Sequence, residues 1–162
     1  MKIKQVPGAG RQKLEILLKE LKNAEVRVGW FDTAEYPDGT KVAQVAVVQE
    51  YGDPEHKIPP RPFMRPTIRT KQSEWKAAFD ILAQKIAKNE ITMAQALEQM
   101  GGKAAGDVRK KISTIWSPPL ADSTIEARKR QRANKTKVGN LNKPLVDQKY
   151  LINTLTHVVV AE

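Results

Sequence analysis

The chain has 162 residues, no cysteine and a formal net charge of +10, from 28 Lys and Arg against 18 Asp and Glu. That length suits one domain around one core, here 1–162, and the missing Cys excludes a disulfide framework or a thiolate metal site. No apolar run approaches the ~20 residues a membrane helix needs, and Met1-Lys2-Ile3-Lys4-Gln5 lacks an apolar signal core, so synthesis in the cytoplasm is the expected setting.

Residues 1–10, with Pro7-Gly8-Ala9-Gly10, read as a flexible lead-in. Arg11 to Lys22 places Leu14, Leu17, Leu18 and Leu21 on one helical side. Glu25 to Phe31 alternates, with Val26, Val28 and Trp30 on one face, which predicts a half-buried strand. Asp32 to Thr40 is turn-rich. Val42 to Gln49 reads two ways. Its valines favour a strand, yet Val42, Val45, Ala46 and Gln49 would line one side of a helix.

After a proline-rich stretch, the spacing of Trp75, Phe79, Leu82 and Ile86 predicts a helix over Thr67 to Asn89. Thr92 is a good N-cap for the next helix. That helix runs to about Trp116 on the stripe Met93, Leu97, Met100, Ala104, Val108, Ile112 and Trp116. Gly101, Gly102 and Gly106 sit in its middle, each costing on the order of 1 kcal/mol against Ala. They mark either a break or a close helix approach. Ser117-Pro118-Pro119-Leu120 ends the helix. Asp122 or Ser123 caps a short one through Arg130. Residues 131–143 are expected as a mobile loop, and Pro144-Leu145-Val146 re-enters the core. Tyr150 to Leu155 reads as one or two helical turns, and Thr156 to Val160 as a final strand with His157 on its polar face. The strands at the two ends must share a sheet. The expected fold is therefore α+β: a small, mostly antiparallel sheet packed against two long helices, with a proline-rich strap and a basic C-terminal loop region.

Constellations for catalysis are sparse. His56 and His157 lie far apart, and a zinc site needs three or four ligands. Ser113, Ser117 and Ser123 have no glycine elbow. Gly8-Ala9-Gly10 and Gly101-Gly102-Lys103 do not meet the phosphate-loop pattern. The carboxylates of Asp32, Glu35, Asp38 and Glu50, with Lys41 among them, could hold Mg²⁺ for phosphodiester cleavage, although Asp38 and Gly39 are ordinary turn residues. No catalytic residue, metal or cofactor is assigned.

The charge is uneven. Lys103 to Lys143 holds eleven basic residues against the acids Asp107, Asp122 and Glu126. Lys110, Lys111, Arg128, Lys129, Arg130, Arg132, Lys135 and Lys137 are the candidate contacts of this segment. It suits DNA phosphate without base reading, an acidic partner protein, or plain solvent. Trp116 is its only aromatic residue, which disfavours stacking on single strands.

The stretch Glu50 to Pro66 reads EYGDPEHKIPPRPFMRP and carries Pro54, Pro59, Pro60, Pro62 and Pro66. Proline fixes φ, lacks an N–H and extends the residue before it. Ile58 to Pro62 is therefore a stiff, extended segment, not a central strand. It delivers Phe63 to a pocket, in its own core by preference or in a neighbouring subunit. Ile58, Arg61, Phe63, Met64 and Arg65 are the candidate interface residues. The two arginines belong at that interface, because charged side chains are rarely buried without a partner.

Glu50-Tyr51-Gly52 followed by Ile58-Pro59-Pro60-Arg61-Pro62-Phe63 resembles the signature of tail-completion and head–tail joining proteins of long-tailed bacteriophages, also called minor tail or virion morphogenesis proteins. The resemblance extends to Val26-Arg27-Val28-Gly29-Trp30, Tyr36 and Gly39 upstream. Downstream it includes Pro118-Pro119-Leu120, Ser123-Thr124-Ile125 and Pro144-Leu145-Val146-Asp147. Gln148 and Lys149 depart from the family's Thr-Gly. The resemblance implies a helix for Val42–Gln49. It also implies a non-enzymatic virion protein of the tail or neck, made in the host cytoplasm and assembled as a ring, with a hexamer favoured. Its neighbours would be the tail tube or tail terminator and the head connector, with genome DNA passing through. The alternatives are a non-specific DNA-binding protein and, after it, a metal-dependent nuclease.

Overall fold

The computed structural model describes residues 15, 24–133, 141–145 and 150–161. Within them the chain is mixed α+β. Strands β1 (Ala24–Gly29) and β2 (Thr156–Ala161) form a two-stranded antiparallel sheet. Between them lie α1 (Val42–Tyr51), α2 (Met64–Ala87), α3 (Met93–Thr114), α4 (Asp122–Ala133) and α5 (Tyr150–Asn153). The 1–10 lead-in and the expected helix over 11–22 fall outside the described residues, except for Glu15, which is helical.

Helix α3 crosses both strands and α2 runs along α3. Leu82 and Ile86 of α2 join Met93, Ala96 and Leu97 of α3 in one cluster, which takes in Val26 and Val159 of the sheet. Both long helices thus cover the same sheet face. A second cluster unites Val42 and Ala46 of α1, Phe63, Val108 and Ile112 of α3, and Leu151 and Leu155 near α5. Val42 to Tyr51 is helical despite its valines. Val42, Ala46 and Glu50 are buried at the four-residue spacing of a helix, while Gln44, which a strand would turn to the same side, is exposed.

The break between the long helices follows local chemistry. Asn89 takes φ 61, which stops α2. Thr92 then accepts the Gln95 N–H, while the Gln95 side chain accepts the Thr92 N–H. This capping box stabilises the start of α3 by about 1 kcal/mol.

One open alternative is decided and three expectations are corrected. The glycines do not break α3, which is continuous. Gly101 marks a close approach: a Cβ there would lie 2.3 Å from His157 Cδ2 and 2.8 Å from Val26 Cγ2. His157 is not on a polar outer face. It pairs with Val28, turns under α3, and its Nε2 lies 2.8 Å from Glu98 Oε1, while Val158 faces out. Trp116 lies beyond the end of α3 and is 56% exposed, with the Lys143 ammonium over its ring. Residues 131–133 continue α4 instead of opening a loop. Pro144 is buried, as a segment re-entering the core requires.

Candidate functional site

The strap becomes an interlocked unit between α1 and α2. At the end of α1, Gly52 adopts φ +80, and its N–H donates to Val48 O at 2.7 Å. A Cβ at this position would lie 2.9 Å from Ile58 O and 3.0 Å from Pro60 N. Only glycine supplies both the backbone angle and the clearance. Asp53 and Ile58 then exchange two backbone hydrogen bonds of 2.8 Å, closing a tight loop. Inside it, Asp53 accepts from the His56 backbone N–H and its Oδ2 lies 2.7 Å from His56 Nδ1. Beyond the loop, the Arg61 N–H donates to Gln49 O at 2.7 Å, laying the proline segment along α1.

Glu50 closes the unit and is 4% exposed. Its carboxylate accepts the backbone N–H groups of Phe63, Met64 and Arg65 at 2.7, 2.9 and 3.0 Å. Those are the orphan donors at the start of α2, and Pro66 has no N–H to satisfy. The helix consequently starts at Met64, three residues earlier than the spacing predicts. Negative charge at a helix N-terminus is favourable. Arg65 adds a second lock: Nε donates to Glu50 Oε1 at 3.0 Å and Nη2 to Glu50 O at 2.9 Å. Burial pushes the Glu50 carboxyl up. The N–H groups of Phe63, Met64 and Arg65, with the Arg65 side chain, outweigh burial and hold it below the ordinary carboxylate range.

Phe63 is 1% exposed and sits in its own chain's core. Its ring meets Trp30 edge-on, with centroids 5.5 Å apart. Trp30 is held in turn by its Nε1, which donates to Leu151 O at 2.9 Å. Met64 is half-buried against the same core, and Ile58 is half-buried. Arg65 is exposed, and its guanidinium stacks over Tyr51 at 4.4 Å from the ring centroid.

Arg61 departs from the expectation of an interface arginine. It is 4% exposed and held within its own chain. Nε donates to Pro118 O at 2.8 Å, Nη2 to Pro119 O at 2.7 Å and Nη1 to Gln49 Oε1 at 3.1 Å. The planar fork gathers carbonyls from two segments far apart in sequence. Arg128 is a second correction. It too is buried, and Nη1 donates to Lys143 O at 2.9 Å. Of the other basic candidates, Lys110, Lys129 and Arg130 are exposed and Lys111 is half-buried. The Arg132 side chain, Lys135 and Lys137 lie outside the described residues.

An open cleft of about 760 Å³ lies between α1, the strap and the start of α4. Arg61, Arg128, Lys57 and His56 line it, with Ser123 and Thr124 of α4. The acidic set considered for Mg²⁺ is put to other uses. Lys41 Nζ donates to Glu35 Oε1 and, at 2.9 Å, to Asp32 O. Asp38 caps Thr40, and Glu50 caps α2. Among the described residues, no three His, Asp or Glu side chains stand together as a metal site.

Glu50 appears in the sequence signature, but its role as a helix cap was missed. The signal is Pro66: a proline placed to fit a first helical turn, with a buried acid needed to serve the donors before it. Comparison with family models, with curated proteins and with solved structures finds no match.

Proposed function

We propose that the chain is a structural protein of the head–tail junction or head-proximal tail end of a long-tailed bacteriophage. It would assemble as a ring, hexameric by preference, between the tail tube or terminator and the head connector. It would carry out no catalysis, and its destination would be the virion. The reading rests on the resemblance of Glu50–Phe63 to the tail-completion signature.

The observation that supports it most is the interlocking of that block. Glu50, Gly52, Arg61 and Phe63 each have a distinct task in one unit. A set of residues with such joint constraints is a fold signature, not an accidental proline loop. With Phe63 and Arg61 used internally, the surface left for a neighbour at the strap is Tyr51, Arg65 and the exposed side of α1 with Val47. Native mass spectrometry of the purified chain, and its copy number in purified particles, test the proposal. A closed ring and a fixed copy number at the neck are expected. A chain that stays monomeric at high concentration and is missing from particles overturns it.

Non-specific DNA binding is the second reading, favoured by the exposed Lys110, Lys129 and Arg130. It predicts salt-dependent association by the isolated monomer.

A further inference from the structure

We infer that the cleft between α1, the strap and α4 is a binding site for a phosphate group. The starting point is Arg61. Its guanidinium is almost wholly buried, yet its three hydrogen-bond acceptors, Pro118 O, Pro119 O and Gln49 Oε1, are all neutral. A guanidinium has five N–H donors, so two remain without an acceptor among the described residues. Buried charges are ordinarily paired, because desolvation without a counter-charge is costly. The charged group that acts on Arg61, Arg128, has the same sign. Burial, and then the positive charge of Arg128, hold Arg61 below the ordinary arginine range.

The rest of the lining points the same way. Lys57 adds a positive group to the lining, beside His56, whose ring is paired with Asp53, and no Asp or Glu among the described residues lines the cleft. Asp122 is exposed and lies outside that lining. Ser123 and Thr124, in the first turn of twelve-residue α4, also line the cleft. The positive end of that helix favours an anion. A lining with guanidinium, ammonium and hydroxyl groups matches the several oxygens of a phosphate better than the two of a carboxylate. The two sources of such a group are free phosphate and the terminal phosphate of a nucleic acid strand. The inference does not depend on the assembly reading.

Isothermal titration at low ionic strength tests it, with three probes on the full chain. They are inorganic phosphate, a 5′-phosphorylated oligonucleotide and the same oligonucleotide without its terminal phosphate. Saturable binding of phosphate near one per chain is expected. Stronger binding of the phosphorylated strand than of its unphosphorylated twin identifies a nucleic acid end as the source. Equal binding of the two strands, with phosphate still bound, identifies the free ion. Lys57→Gln, at an exposed loop position, should weaken phosphate binding about tenfold, the loss of one charge-assisted contact. Arg61→Lys should weaken it further, with circular dichroism checking that the fold persists. Absence of saturable phosphate binding overturns the inference, as does unchanged affinity in Lys57→Gln.

Discussion

Glu50 shows how one side chain sets the start of a helix. Three backbone donors converge on it inside the protein. Its removal would leave them unsatisfied, at on the order of 1–3 kcal/mol for a buried group without a partner. Glu50→Gln should therefore lower the denaturation midpoint. It should also change the pH dependence, and the sign follows from the direction of the shift. The folded carboxyl titrates below its ordinary value of 4.5, so the unfolded chain binds the proton more readily. The stabilisation is complete above the ordinary value and is lost as pH falls through the folded one. Asp38 and Asp53 are shifted in the same direction, mainly through hydrogen bonds to Thr40 and His56. The difference between wild type and Glu50→Gln on acid titration isolates Glu50, and parallel curves would refute its role. Phe63→Ala is expected to cost about 3–5 kcal/mol, as for a fully buried ring, and to lower the melting temperature of the isolated monomer. Unchanged melting would place the pocket elsewhere.

At the scale of elements, Gly101 is the contact point between α3 and the sheet. Ala is the better helix former by about 1 kcal/mol. Gly101→Ala should nevertheless destabilise, because its Cβ would overlap the base of the His157 ring and Val26. Combining it with His157→Ala should recover part of the loss, a coupling readable from a double-mutant cycle in urea. Additive effects would mean that the two positions do not meet. Helix α4 offers a contrast among adjacent basic residues. Arg128 is buried and bound to the Lys143 carbonyl, while Lys129 and Arg130 face solvent. Arg128→Glu should lower stability sharply, since it puts an anion where a donor is needed. Lys129→Glu with Arg130→Glu should leave melting within ~0.5 kcal/mol and weaken salt-dependent association with DNA or an acidic partner. Matching stability losses in both variants would contradict the burial of Arg128.

For the molecule as a whole, one covered sheet face and one interlocked strap leave distinct outer surfaces. Val158 and Arg27 lie on the sheet face away from α3. Val47 and Tyr51 lie on the outside of α1. A ring would have to use surfaces of this kind, because Phe63 and Arg61 are committed within the subunit. Tyr51→Ala with Val47→Ser should thus reduce the ring mass without lowering monomer melting. An intact ring in this variant would remove the α1 face from assembly.

The sequence by itself determined the elements whose apolar spacing is regular. The stripes of α2 and α3, the alternation of β1 and the Thr92 cap are local features, and each is written in neighbouring residues. The stiffness of the strap is equally local, since proline carries its own φ. Tertiary structure decided the rest. The β2 sequence Val158-Val159-Val160 has no alternation, so only its register against β1 could turn His157 inward. Three glycines in a helix allow a break or a close approach, and the packing of α3 on the sheet selected the second. A basic residue in a basic run looks exposed. Arg61 and Arg128 are buried because carbonyls near Pro118 and Lys143, distant along the chain, come within reach of their guanidinium groups only when the fold closes.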